Sequence, residues 1–244
     1  MIDAETRRKL TSLRRKAESE QWSLEEGIDW SVAPVPAPTI TSRFIQRSVG
    51  ALFAGEQATV RACDRLIEVL PAGPVRDCIA VQSNDEFRHV EAYARYMERT
   101  GLAPEPHDGI REVTDRLARW SGPTSGLFFA IHIVLEGEAL GLQLDVENDL
   151  DCPLFRSVNR RISRDEARHV AFGRIIAASA AREMDEHDRR RTVDEIRAVW
   201  TGCVKALAGE NFFLWRALSF MADRSWNRHM ADLARTGLLP SDSR

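Results

Sequence analysis

Two five-residue stretches carry acids and an imidazole in the same order. They are Asp85-Glu86-Phe87-Arg88-His89 and Asp165-Glu166-Ala167-Arg168-His169, eighty residues apart. Within each, Glu and His stand three apart, so a helix sends both side chains to one face, a turn from each other and within reach of one cation. A lone glutamate precedes each stretch at the same interval: Glu56 lies thirty residues before Glu86, and Glu136 thirty before Glu166. Laying residues 56–90 on 136–170 without a gap also aligns Leu70 with Leu150, Arg76 with Arg156, Ser83 with Ser163 and Val90 with Val170. The chain therefore contains a doubled E-x28-DExRH, and its register selects Glu136 ahead of Glu138, two residues on.

The residue types say what such a cluster could do. Four carboxylates brought into a buried space repel one another and lose their hydration, which is tolerable only with cations among them. Two divalent ions would neutralise them. Oxygen-rich donors with a single imidazole for each ion suit iron or manganese rather than zinc or copper. Six protein ligands leave coordination positions open, and open positions on two reducible ions are what dioxygen binding requires. Asp85 and Asp165 point about 100° round the helix from the neighbouring Glu. Each is expected to accept a hydrogen bond from the ligand His of the opposite helix, fixing that ring's tautomer. Arg88 and Arg168 are expected to pair with these Asp or to reach the surface.

Elements able to position these groups can be read from periodicity and breakers. Residues 2–20 read as a charged amphipathic helix with Leu10 and Leu13 inward, followed by the loop QWSLEEGIDWS and the proline-alternating SVAPVPAP, which must be extended. Apolar residues at helical spacing from 41 to 70 (Phe44, Val49, Leu52, Phe53, Val60, Leu66) put Glu56 on or beside a buried stripe. Pro-Ala-Gly-Pro at 71–74 ends that helix, and the next, about 75–100, carries Glu86 and His89. Residues 102–123 form a long connection, of the kind that two parallel neighbours in a bundle need. A very apolar helix over 125–149 leads into Glu136, and another over 154–183 holds Glu166 and His169. Two more helices come after it, to about 207 and to 235, as a lid or packing layer. The expectation is one all-α domain over 1–244: an N-terminal helix and strap (1–39), a four-helix core (40–183), C-terminal helices (184–236) and a tail (237–244). Two helices giving one Glu each and two giving Glu-x-x-His form an arrangement that holds two metal ions inside a bundle.

The doubled E-x28-DExRH resembles the ferritin-like di-iron carboxylate superfamily over about residues 40–180, and its Arg is most similar to the oxygenase branch: multicomponent monooxygenase hydroxylases and p-aminobenzoate N-oxygenase-like proteins. RDEARH and the Trp-rich QWSLEEGIDW also resemble the ribonucleotide reductase small subunit and its ligand-binding oxidase relatives. The resemblance implies a ferritin-like four-helix bundle with a long crossover between its second and third helices. It implies Glu56, Glu86 and His89 on one ion and Glu136, Glu166 and His169 on the other, with Glu86 and Glu166 bridging. It further implies two iron ions, or manganese and iron, with dioxygen as co-substrate. A reductase or ferredoxin-type donor would supply electrons, and a small organic substrate would be hydroxylated, N-oxygenated, desaturated or deformylated. One departure stands out: the N-oxygenases carry an extra His ligand where this chain has Ile162.

Several residues admit two readings. Tyr93, one turn beyond His89, stands where the reductase subunit keeps its radical tyrosine, and is otherwise a core Tyr. His132, one turn before Glu136, is an extra ligand, a substrate contact or a satisfied core His. Phe128 and Phe129 line a substrate pocket or pack the core, and Trp22 and Trp30 relay electrons or simply pack. The alternative functions are a radical-generating reductase-like subunit using Tyr93 and a ferritin-like iron-binding ferroxidase.

Composition bounds the partners. A net charge of −3 with both signs interspersed gives no basic stripe for nucleic acid and no cationic amphipathic anchor for a membrane. MIDAETRRKL lacks an apolar leader, and no run of eighteen apolar residues is evident, so a cytoplasmic protein is expected. Cys63, Cys78, Cys152 and Cys203 are far apart with no CxxC, which fits reduced thiols. By resemblance a homodimer is expected.

Overall fold

Long stretches of strong helix formers, cut by proline and glycine, fold as ten α-helices among the described residues. The computed structural model describes residues 2–34, 42–103, 107–150, 152–208 and 212–239, with side chains apart from those of 42–47, 149, 207–208 and 212–222. The helices are α1 (Ala4–Ser19), α2 (Leu24–Gly27), α3 (Ser42–Val69), α4 (Pro74–Thr100), α5 (Asp108–Ala118), α6 (Thr124–Phe128), α7 (Glu136–Asp149), α8 (Pro153–Glu183), α9 (Glu186–Ala208) and α10 (Phe212–Arg235). Local chemistry sets their ends. Asp3 caps α1 by accepting from the Thr6 amide at 2.6 Å. Pro74 and Pro153 open α4 and α8, and Gly101 closes α4 at φ 67°, a left-handed conformation that glycine adopts without strain.

Two apolar clusters pack along the bundle, one at each end. The first gathers Val49 and Leu52 of α3, Tyr96 of α4, Val146 of α7 and Phe155 of α8. The second gathers Leu66 of α3, Ile79 of α4, Ile131 and Val134 just before α7, and Ile176 of α8. Reading each helix through the clusters gives its direction: α3 and α8 run from first to second, α4 and α6–α7 the other way. Because α3 and α8 each pack against α4 and α7, the touching pairs are antiparallel and the parallel pairs lie on the diagonals. The long connection therefore does not join parallel neighbours, as its length suggested. It joins α4 to α6 across the bundle, with α5 packed on α3 and α9 along the way.

Other differences are local. The loop after α1 contains the one-turn helix α2, capped by Ser23. Residues 35–41, most of the expected proline strap, lie outside the described residues. The C-terminal tail begins later than 237, because Leu238 is fully buried and Arg189 donates to the Gly237 carbonyl. Contrary to expectation, one stretch, Thr124–Asn148, is long and apolar enough to cross a bilayer. Burial of Phe128, Phe129, Ile131 and Val134 in the core accounts for that composition.

Candidate metal centre

On all four central helices the ligand candidates fall between the two apolar clusters, so the polar groups form a waist in an otherwise apolar bundle. Glu56, Glu86, His89, Glu136, Glu166 and His169 are all at most 5% exposed. They form two overlapping groups whose donor atoms lie within 4.8 Å of one another. One is Glu56, Glu86, His89 and Glu166, and the other Glu86, Glu136, Glu166 and His169. Glu86 and Glu166 belong to both, which is the geometry of a pair of bridging carboxylates.

The imidazoles are polarised in the same sense. His89 Nδ1 faces the carboxylates, 3.2 Å from Glu56 Oε2, 3.1 Å from Glu166 Oε1 and 3.3 Å from Glu86 Oε2. His169 Nδ1 lies 3.0 Å from Glu86 Oε1 and 3.3 Å from Glu166 Oε2. Each Nε2 turns away to an aspartate of the other half: His89 to Asp165 Oδ2 and His169 to Asp85 Oδ2, both at 3.2 Å. That is the crossed pairing expected of the two Asp. A proton held on Nε2 by the aspartate leaves the Nδ1 lone pair for a cation. Arg88 pairs with Asp85 and Arg168 with Asp165, and Gln21 and Trp22, just after α1, donate to Asp85 at 2.9 Å and Asp165 at 2.8 Å.

The electrostatics are those of a site built for positive charge. Burial, reinforced by the charge of Glu166, drives Glu56 and Glu136 well above the carboxylate range. Burial would raise Glu86 as well, but His169 and then His89 hold it well below that range. Burial would lower both imidazoles, yet Glu56 and Asp165 raise His89, and Glu86 and Glu166 raise His169. Without another cation, protons held among these groups must balance the charge. Glu86 Oε2 is buried and forms no hydrogen bond among the described residues, its contact with His89 Nδ1 being poorly aligned for one. An unsatisfied buried carboxylate oxygen amid three other acids fits a metal ion.

The other residues singled out in the sequence stand around the cluster or away from it. Glu138 is not part of it: Ser225 donates to Glu138, and His229 Nε2 lies 2.9 Å away, binding it to α10. His132 is fully buried between Phe128, stacked at 5.8 Å, and the edge of Phe172 at 5.3 Å. Its Nε2 lies 2.9 Å from Gln82 Oε1, so it touches no carboxylate of the cluster directly. Phe129 is core. The Tyr93 hydroxyl donates to Asn159 Oδ1 at 3.3 Å, and burial together with Glu56 pushes its pKa well up. Trp30 donates to the Leu24 carbonyl and packs under Arg95.

Two features escaped the sequence. Gln82 Nε2 donates to Glu136 Oε1 at 2.9 Å and Glu86 Oε1 at 3.1 Å, so it orients both carboxylates. Its spacing, four before Glu86, was a signal, but the counterpart in the other copy is Ile162, so the repeat did not mark it. The second is a π-helical stretch, Phe129–Leu135, whose last turn bonds the Glu136 amide to the Ile131 carbonyl. A wide turn of this kind re-aims the side chains beyond it, Glu136 first among them. Together they break the pseudo-symmetry: His132, Gln82 and Gly173 stand where the other copy has Leu52, Ile162 and Tyr93. A Cβ on Gly173 would fall 2.0 Å from that of His132, so the glycine makes room for the His.

Fold and site together define a ferritin-like helical bundle with buried donors arranged for two metal ions. No family model and no curated protein matches the chain. Solved structures do. The R2-like ligand-binding oxidase from Sulfolobus acidocaldarius superposes at TM-score 0.68 with 16% identity, over 93% of this chain and 90% of that one. A single-site variant of an R2-like ligand-binding oxidase with an anaerobically reconstituted Mn/Fe cofactor gives 0.67 and 15%, over 92% and 93%. Another variant, with an aerobically reconstituted Mn/Fe cofactor, gives 0.61 and 18%, over 92% and 93%. The chain has the fold of these oxidases along nearly its whole length.

Proposed function

We propose that the protein is a non-haem dimetal oxidoreductase, di-iron or manganese–iron, that uses dioxygen to oxidise a small organic molecule. Glu56, Glu86 and His89 hold one ion and Glu136, Glu166 and His169 the other, with Glu86 and Glu166 shared. One observation carries the reading: two overlapping donor groups, each with one imidazole, sealed inside the bundle. The shared fold with oxidases bearing Mn/Fe cofactors supports the same choice of metal, as does the predominance of oxygen donors. When bound, such a pair supplies reversible electron storage and open positions for dioxygen.

The chain's own residues supply the rest. Asp165 and Asp85 keep the protons of His89 and His169 on Nε2, so that Nδ1 faces the ions. Gln82 holds the Glu86 and Glu136 carboxylates in one orientation. The two apolar clusters keep bulk water from both ends of the waist. A ferredoxin-type or reductase donor restores the reduced state, and hydroxylation, N-oxygenation, desaturation and deformylation all fall within this chemistry.

Metal analysis tests the reading. Protein loaded anaerobically with ferrous iron should hold two ions per chain and consume dioxygen. Glu136→Ala should fall to one ion and lose oxygen consumption, while Glu138→Ala should keep both. Equal loss in the two variants would remove the ligand assignment, and a chain that binds no iron would remove the function. A tyrosyl radical signal after air exposure, lost in Tyr93→Phe, would favour the radical-generating alternative.

A further inference from the structure

The four central helices leave a seam between α4 and α8, and α1 lies across it, packed on both. Polar contacts hold the crossing. Arg14 pairs with Asp77 of α4 at 2.9 Å, and the Cys78 thiol meets the Leu10 carbonyl at 3.5 Å. Just beyond α1, Glu20 pairs with Arg168 at 3.3 Å and Gln21 donates to Asp85 at 2.9 Å. Between these anchors the three helices do not close completely. A narrow cleft of about 30 Å³ remains, walled by Leu13, Ala17, Val81 and Phe172, and it reaches Gln82 and His169. Leu13 and Val81 are half-buried, whereas Gln82 and His169 are buried, so the cleft leads inward from solvent. Nearly all of the surface that it presents is apolar, because Gln82, Asp85 and His169 spend their polar atoms on hydrogen bonds within the waist.

Size and polarity select the guest. About 10–15 Å³ of such space holds one water, so this cleft takes a diatomic molecule and refuses an organic substrate. An apolar wall offers water few hydrogen-bond partners, whereas dioxygen, uncharged and apolar, needs none. Position supplies the rest of the argument. Gln82 donates to Glu136 at 2.9 Å and Glu86 at 3.1 Å, and His169 Nδ1 lies 3.0 Å from Glu86. The inner residues of the cleft are therefore in direct contact with the carboxylates of the cluster, while apolar core closes the bundle above and below the waist.

Resting on the dimetal reading above, we propose that the cleft between α1, α4 and α8 is the entrance by which dioxygen reaches the centre, too narrow for the organic substrate to share. Transit makes and breaks no bond. It gives α1, which contributes no ligand candidate, a part in the chemistry as the outer wall of the passage.

Xenon, apolar and monatomic, probes the cleft, and dioxygen itself probes the route. Crystals of the purified protein under xenon pressure should show xenon between Leu13, Val81 and Phe172. None should remain there in Leu13→Trp or Val81→Trp, which fill the space from different helices, so that failure of one variant to fold leaves the other. Leu144→Trp, at an exposed position of α7, is the control for added bulk. Stopped-flow oxidation of ferrous-loaded protein at low dissolved dioxygen should slow roughly tenfold in either filled variant and not in the control. The difference should close as dioxygen is raised, because a blocked entrance lowers the entry rate and leaves later steps alone. Ordered water and no xenon in the cleft overturns the proposal, as does a rate indifferent to both fillings. A rate that falls equally at every dioxygen concentration overturns it too, since that marks a disturbed Gln82 or α1 and not a closed passage. If the unaltered ferrous-loaded protein consumes no dioxygen, the dimetal reading fails instead, and the xenon arm still decides whether the cleft takes an apolar gas.

Discussion

Gln82 is where the two otherwise matched halves of the centre part company. It donates to Glu86 and Glu136 and accepts from His132, while Ile162 stands at its counterpart on the Glu56 side. Gln82→Leu removes both donors and strands the His132 N–H. Loss of such outer hydrogen bonds weakens metal affinity by about 10–100-fold, and an ion proposed to sit on Glu136 and His169 should bear most of it. Calorimetric metal titration should show one site weakened and the other nearly kept; equal weakening of both would show that Gln82 orients nothing in particular. The six ligand candidates and the crossed Asp partners were legible in the sequence because each occurs twice at fixed spacing, which chance does not readily produce. Gln82 occurs once, and a signal without a second copy looks like any other polar residue on a helix. His132 was ambiguous for a related reason: a histidine one turn before Glu136 fits a ligand as well as a neighbour, and only the wide turn that separates their faces decides. Burial, and after it the charge of His169, lowers the pKa of that ring to about 4, so it is neutral at ordinary pH.

At the scale of elements, the breakers at 71–74 and at 101 and the apolar periodicity placed the long helices to within a residue or two. The π-helical stretch and α2 could not be read in the same way, because neither has a residue type of its own. What the stretch requires is visible in Gly173, which lets α8 pass against His132. Gly173→Ala overpacks that crossing, and such insertions cost about 1–3 kcal/mol; urea unfolding should show a lower midpoint at unchanged slope. Glu138 gives the neighbouring helix a different task, tying α7 to α10. Burial would raise its pKa, but His229 and Ser225 hold it below the usual carboxylate value. A lowered folded pKa stabilises above the unfolded value, and the benefit vanishes as pH falls through the folded one. Glu138→Gln should therefore be less stable than the parent at pH 7, by under about 1 kcal/mol because the Glu138 side chain is 35% exposed and its charge is screened by solvent. The two proteins should converge once the pH has fallen through the lowered folded value; a gap that persists in more acid solution would mean that shape, not charge, holds the contact.

For the whole molecule, burying the centre carries a penalty that two bound cations would relieve. Four acids in the waist between two apolar clusters should leave the metal-free chain markedly less stable than the loaded one. Each ion at a hundredfold excess over its Kd contributes roughly 2.7 kcal/mol, so two should raise Tm by about 10–20 °C in a chain of this size. Scanning calorimetry with and without ferrous iron measures it, and identical curves would show that the acids are satisfied by protons alone. Direction of the helices was less legible than their extent, since a long connection states that two helices run the same way and not whether they touch. The crossed hydrogen bonds carry one last consequence. Asp85 serves His169, Asp165 serves His89, and both donor groups draw on each copy of the repeat. A fragment cut at the crossover would keep the ligand pattern and lose the site, so either half alone could rebuild it only by pairing with a second half.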